Sequence, residues 1–78
     1  AANQFAIYPN PNNGNFYVQT NSTDKHTMQV YDVNGKLILT QTITGSTTIN
    51  LESLNEGVYT ISIIGSETVA NKKLIIVK

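Results

Sequence analysis

The chain contains no cysteine and no arginine. Without cysteine there is no disulfide, no thiol nucleophile and no thiolate metal ligand, so the fold must stand on packing alone. Without arginine, and with five lysines balanced by five carboxylates, there is no basic surface to neutralise a run of phosphates, which argues against nucleic-acid binding. Charge of either sign is scarce, at 13% of residues against roughly 25% in ordinary soluble domains. The single histidine, His26, excludes a multi-histidine metal site. No apolar run approaches the ~20 residues of a membrane-spanning helix. The chain starts at Ala1 and its one methionine is Met28, so we expect a fragment or processed piece whose export signal, if it has one, lies outside it.

What is present is the vocabulary of strands and turns. The 78 residues predict one domain over 1–78, and a chain this small buries only about 60% of its unfolded surface, which leaves no room for a deep active site. Its polar surface is made of Asn, Thr, Ser and Gln, as in "QTNSTDKHT" and "LTQTITGSTTIN"; threonine favours strands and asparagine turns. Period-two alternation between regular turn signals predicts a sandwich or small barrel. We read strands at 5–8, 15–20, 27–33, 36–43, 47–51 and 58–64, and a last element over 68–78 with an irregular or bulged first half. Phe16 and Val18 share a face, as do Met28 and Val30, and Tyr59, Ile61 and Ile63. Asn34-Gly35 predicts a type I′ hairpin turn, because both residues tolerate positive φ. Such strands cannot bury an apolar face singly, so two sheets must stack or one must close. The expected fold is an all-β, immunoglobulin-like antiparallel sandwich of about seven strands.

Catalytic chemistry is poorly supplied. His26 sits in the polar run "TDKHT" and reads as a solvated loop residue. Asp24, Asp32, Glu52, Glu56 and Glu67 each lie in or beside a predicted turn, one acid to a loop, too few for a calcium site. No serine stands in a nucleophile elbow and no glycine-rich loop precedes a helix. No cofactor or metal is expected, nor an enzyme. Tyr8, Tyr17, Tyr31 and Tyr59 are candidates for a sugar platform, although strand aromatics more often pack against their cross-strand neighbours. Asn21-Ser22-Thr23 fits an N-glycosylation pattern, relevant only in a eukaryotic secretory route.

Four segments stand out. "IYPNPNNGNF" concentrates two prolines, four asparagines and a glycine between apolar runs. It reads as a turn: proline fixes φ and biases the preceding residue to extended geometry, and Asn12, Asn13 and Gly14 offer positive φ for the reversal. "YDVNGK" is the hairpin. "NEGVY" has the spacing of a tyrosine corner, in which the Tyr59 phenol bonds back to the preceding turn; Ile61 stands where that corner often has a cysteine. "KKLIIVK" sets four apolar strand formers between lysines, reading as a buried final strand with lysine gatekeepers or as a tail that a partner reads.

In this order, "YPNP", "YDVNGK", "LNEGVYTISI" and "KKLIIVK" resemble the type A C-terminal sorting domain of the type IX (Por) secretion system, over Phe5 to Lys78. The resemblance implies a non-catalytic, seven-stranded sandwich that labels an N-terminal cargo domain for export. It implies recognition in the periplasm by shuttle proteins and the outer-membrane translocon, and common removal by a cysteine-peptidase-like sortase as the cargo reaches the cell surface or the extracellular space. The matching positions are Pro9, Asn10 and Pro11; Asp32 and Gly35; Gly57 and Tyr59; and Lys72, Lys73 and Lys78. The alternative is an accessory or adhesive sandwich, binding carbohydrate or protein, within a secreted enzyme.

Overall fold

The computed structural model describes residues 5–21, 23–65 and 69–78. Among the described residues seven strands follow one another: β1 (Phe5–Tyr8), β2 (Asn15–Thr20), β3 (Lys25–Tyr31), β4 (Leu37–Thr44), β5 (Thr47–Asn50), β6 (Gly57–Ile64) and β7 (Val69–Ile76). They form two antiparallel sheets, β1-β2-β5 and β4-β3-β6-β7. The sheets are held face to face by alternate residues. Phe16 and Val18 from β2 and Ile49 from β5 meet Met28 and Val30 from β3, Ile61 and Ile63 from β6, and Leu74 and Ile76 from β7. Burying each such side chain contributes about 1.5–3 kcal/mol relative to leaving it exposed. The expected immunoglobulin-like sandwich and its shared faces are what the chain builds, with Ile61 fully buried in the core.

Several local expectations are corrected. β3 starts at Lys25 rather than Thr27, and His26 is a core residue, 4% exposed, not a solvated loop residue. The period-two alternation of Met28 and Val30 simply extends back through it. The imidazole is accommodated because Nδ1 lies 3.0 Å from the Asp24 carbonyl oxygen and the ring meets Phe5 edge-on at 5.0 Å.

The β3–β4 turn is not type I′, since among the described residues none other than glycine has positive φ. The Gly35 N–H donates to the Asp32 carbonyl at 3.0 Å, with only Gly35 left-handed, at φ 83°. This is the three-residue arrangement in which a type I turn is followed by a left-handed glycine. Asp32 decides between the two: its Oδ1 accepts the backbone N–H of Asn34 and of Lys36, each at 2.9 Å, and so fastens the three-residue turn. Asn12 and Asn13 likewise keep negative φ, and Gly14 alone, at φ 112°, makes the reversal into β2. The first half of β7 is regular, pairing with β6 from Val69↔Ile64 onward. Ser22, Ser66, Glu67 and Thr68 lie outside the described residues, and with them part of the Asn21-Ser22-Thr23 pattern and of the turn expected after Gly65.

Candidate functional site

Antiparallel pairing gives the sandwich two poles. At one, β1 and β3 end, β2 and β6 begin, and β7 ends, as the registers Tyr8↔Tyr17, Tyr31↔Thr60 and Gly57↔Ile76 require. The proline-asparagine segment, the Asp32–Gly35 hairpin turn, the tyrosine corner and the end of β7 all lie at this pole. Phe5, where the chain enters β1, lies at the other, opposite Thr20. The molecule measures 35 × 22 × 17 Å along its principal axes.

The first and last of the four segments form one structure. After Tyr8 the chain leaves β1 and runs along the outer edge of β7; the Tyr8–Pro9 and Asn10–Pro11 peptides are both cis. The Asn12 N–H donates to the Ile75 carbonyl at 2.9 Å, and the Val77 N–H donates to the Asn12 carbonyl at 2.7 Å. Asn12 therefore forms a parallel bridge to Ile76. Asn10 does with its side chain what Asn12 does with its backbone. Its Nδ2 donates to the Lys73 carbonyl at 2.8 Å, and its Oδ1 accepts the Ile75 N–H at 2.9 Å. A carboxamide carries one donor and one acceptor group side by side, as a strand residue does, so the prolines, which lack a donor, cost this edge nothing.

Asn12 is the buried pivot of the segment, 7% exposed. Its Nδ2 donates to the Pro9 carbonyl and its Oδ1 accepts the Gly14 N–H, both at 2.8 Å. Gly14 in turn accepts the Leu51 N–H at 2.7 Å. A Cβ there would lie 2.8 Å from the Leu51 carbonyl oxygen, so only glycine fits both the φ and the space. Next to it, Asn15 Nδ2 donates to Glu52 Oε1 at 2.8 Å.

The tyrosine corner forms as expected: the Tyr59 hydroxyl donates to the Asn55 carbonyl at 2.7 Å. Lys78 reaches back to the same corner, its Nζ donating to the Glu52 carbonyl and its N–H to Glu56 Oε1 at 3.4 Å. Corner, reversal and tail are thereby fastened together.

The candidate residues thus divide. Pro9, Asn10, Pro11, Gly35, Gly57, Lys73 and Lys78 are exposed, whereas Tyr59 is buried and Asp32 half-buried. Lys72 and Lys73 stand side by side in sequence but on opposite faces of β7, opposite Ile61 and Thr60; they are no single basic patch. Asn12, Gly14, Leu51 and Glu52 belong to the pole although they were not among the sequence candidates. The signal for Asn12 is its place in the alternation Pro9-Asn10-Pro11-Asn12, which marks an extended segment whose every second residue can hydrogen-bond.

The tyrosines do not share a platform. Tyr8 and Tyr17 pack together at 5.6 Å on the outer face of the three-stranded sheet. Tyr31 lies on the outer face of the other sheet, where it is the single aromatic ring of a shallow groove with Val58, Thr60 and Asn71. Among the described residues no group of His, Asp and Glu is placed to hold a metal ion, and no helix is long and apolar enough to cross a membrane.

The family model for the secretion system C-terminal sorting domain matches residues 6–77. The chain belongs to this family. Its four marker segments are therefore parts of a sorting domain, a non-catalytic tag of the type IX system whose presence implies export to the cell surface or the extracellular space. A comparison with curated proteins found no match. In this sorting domain four of the ten marker residues hold the pole together with their side chains. Asp32 fastens the turn, Tyr59 the corner, Asn10 the edge of β7 and Lys78 the tail.

Proposed function

We propose that residues 1–78, a single domain, are read by the type IX outer-membrane translocon at the pole where the four segments meet. What supports this reading is the lacing of Pro9–Asn12 onto β7, which joins the first and last markers into one surface. In this reading Pro9, Asn10, Pro11, Gly35, Gly57, Lys73 and Lys78 face the machinery, while Asp32 and Tyr59 hold their shape and Lys72 borders the surface. A cargo domain attached ahead of β1 would join the opposite pole, leaving the marked pole free to dock. Periplasmic shuttle proteins and a sortase complete the route, with the tag commonly removed as cargo emerges. Low charge suits the role, because desolvating neutral polar groups costs less than desolvating ions.

The test is export of a fluorescent reporter carrying residues 1–78 in wild-type and translocon-deficient cells. Export should depend on the translocon. It should fall when Val77 and Lys78 are removed or Pro11 is replaced by Ser, in variants shown to be folded by circular dichroism. Equivalent loss from substitutions at the other pole, such as Thr23→Lys or Ser46→Lys, would place the read surface elsewhere. A glycan-binding signal lost on Tyr31→Ala, with translocon-independent export, would instead identify an accessory module.

A further inference from the structure

The two sheets have four edges, and the chain protects three of them. β1 and β5 have four residues each, too short to template a long pairing. β7 carries Lys72 and Lys73 and is laced by Asn10 and Asn12. β4 has none of these devices. It runs for eight residues, "LILTQTIT", with six exposed, and holds no charge and no proline; its one register irregularity lies at its start, opposite Val30 and Tyr31.

The direction of its free hydrogen-bonding groups follows from the lacing at the far side of the sheet. Because Ile75 and Val77 bond outward to Asn10 and Asn12, Leu74 and Ile76 bond inward to β6. The alternation then carries across the sheet through the registers of β6 and β3. It leaves the N–H and C=O groups of Thr40, Thr42 and Thr44 pointing out of the β4 edge.

Around Gln41 the strand is nearly a palindrome: Leu39-Thr40-Gln41-Thr42-Ile43. We propose that this edge pairs antiparallel with the β4 of a second copy, about a two-fold axis through Gln41. That register sets Thr40 opposite the second copy's Thr42 as hydrogen-bonded pairs, and Leu39 opposite its Ile43 on the face toward the core. Gln41 meets its own counterpart on the axis. Threonine pairs and apolar pairs are favourable cross-strand neighbours. An isologous contact needs such self-complementarity, and a strand without charge in a chain of zero net charge offers no repulsion against it. The result is one continuous eight-stranded sheet with both marked poles uncovered by the contact.

The axis supplies the test. Gln41 is exposed, so Gln41→Lys and Gln41→Glu leave the single copy folded but set like charges face to face in the pair. By sedimentation, wild-type residues 1–78 should rise from one-chain to two-chain mass with concentration. Each variant alone should stay at one-chain mass, and an equimolar mixture of the two should recover the two-chain species. Val69→Lys, on the opposite edge strand, should behave as wild type. Wild type that stays at one-chain mass throughout, or single variants that associate as wild type does, would overturn the proposal; the former is also the result if β4 instead takes a strand from a different protein.

Discussion

The side chain of Asn10 hydrogen-bonds the backbone of Ile75 from 65 residues away in sequence, with Oδ1 accepting the Ile75 N–H at 2.9 Å. The same carboxamide donates to the Lys73 carbonyl. Asn10→Ala removes both bonds while leaving the freed groups open to water, and is expected to cost about 1–2 kcal/mol. The measurement is the urea midpoint, together with amide exchange: Ile75 should exchange faster, while Leu74, bonded inward to β6, should be little changed. Asn10→Asp should not rescue, because it keeps the acceptor but turns a carboxylate oxygen toward the Lys73 carbonyl.

Gly14 and Gly35 both have positive φ, but only one is crowded. A methyl group at Gly14 would sit 2.8–2.9 Å from the backbone of Leu51 and Glu52, whereas nothing lies within 4 Å at Gly35. Gly35→Ala is expected to cost about 1–2 kcal/mol for the left-handed conformation alone. Gly14→Ala adds a clash with backbone that cannot step aside and should cost clearly more. Thermal unfolding of the two variants gives the order, and an equal loss would refute it.

His26 and Gly65 share one space, since a Cβ on Gly65 would lie 2.6 Å from the His26 ring. His26→Ala should lose about 2 kcal/mol or more through the cavity and the Phe5 contact, and Gly65→Ala about 1–3 kcal/mol through overpacking. The double variant should lose less than the sum, because the new methyl enters the vacated space. Strict additivity in denaturant titrations would separate the two sites. Lys25→Ala, one residue away and exposed, should stay within about 0.5 kcal/mol of wild type.

Tyr59→Phe keeps the ring in the core and removes only the 2.7 Å bond to the Asn55 carbonyl. The expected loss is about 1 kcal/mol, with export falling only in proportion to stability. A collapse of export at near-native stability would make the hydroxyl itself part of the recognised surface.

These cases show which relationships the sequence exposes. Tyr59 and Asn55 are four residues apart, so their bond is a local pattern, and the strands declare themselves by alternation within a few residues. His26 was obscured because its polar neighbours Thr23, Asp24 and Lys25 suggest a loop; the stronger signal was its two-residue step to Met28 and then Val30. The Asp32 turn was half legible. Asn34-Gly35 marks a hairpin, but which turn closes it depends on where the Asp32 carboxylate points. The grip of Asn10 on Ile75 lay beyond reach, because the two residues are 65 positions apart and only the strand pairing of the folded chain brings them together. The four segments were legible as markers; their meeting at one pole was not.

The lacing also acts as a seal of completion. Asn10 is synthesised 65 residues ahead of its partner Ile75, and Asn12 likewise precedes Ile75 and Val77. A product cut short before β7 carries the proline segment, the hairpin and the corner but has no edge on which to assemble them. With the pole as the proposed address, a chain that stops before β7 would lack the edge on which that address is assembled.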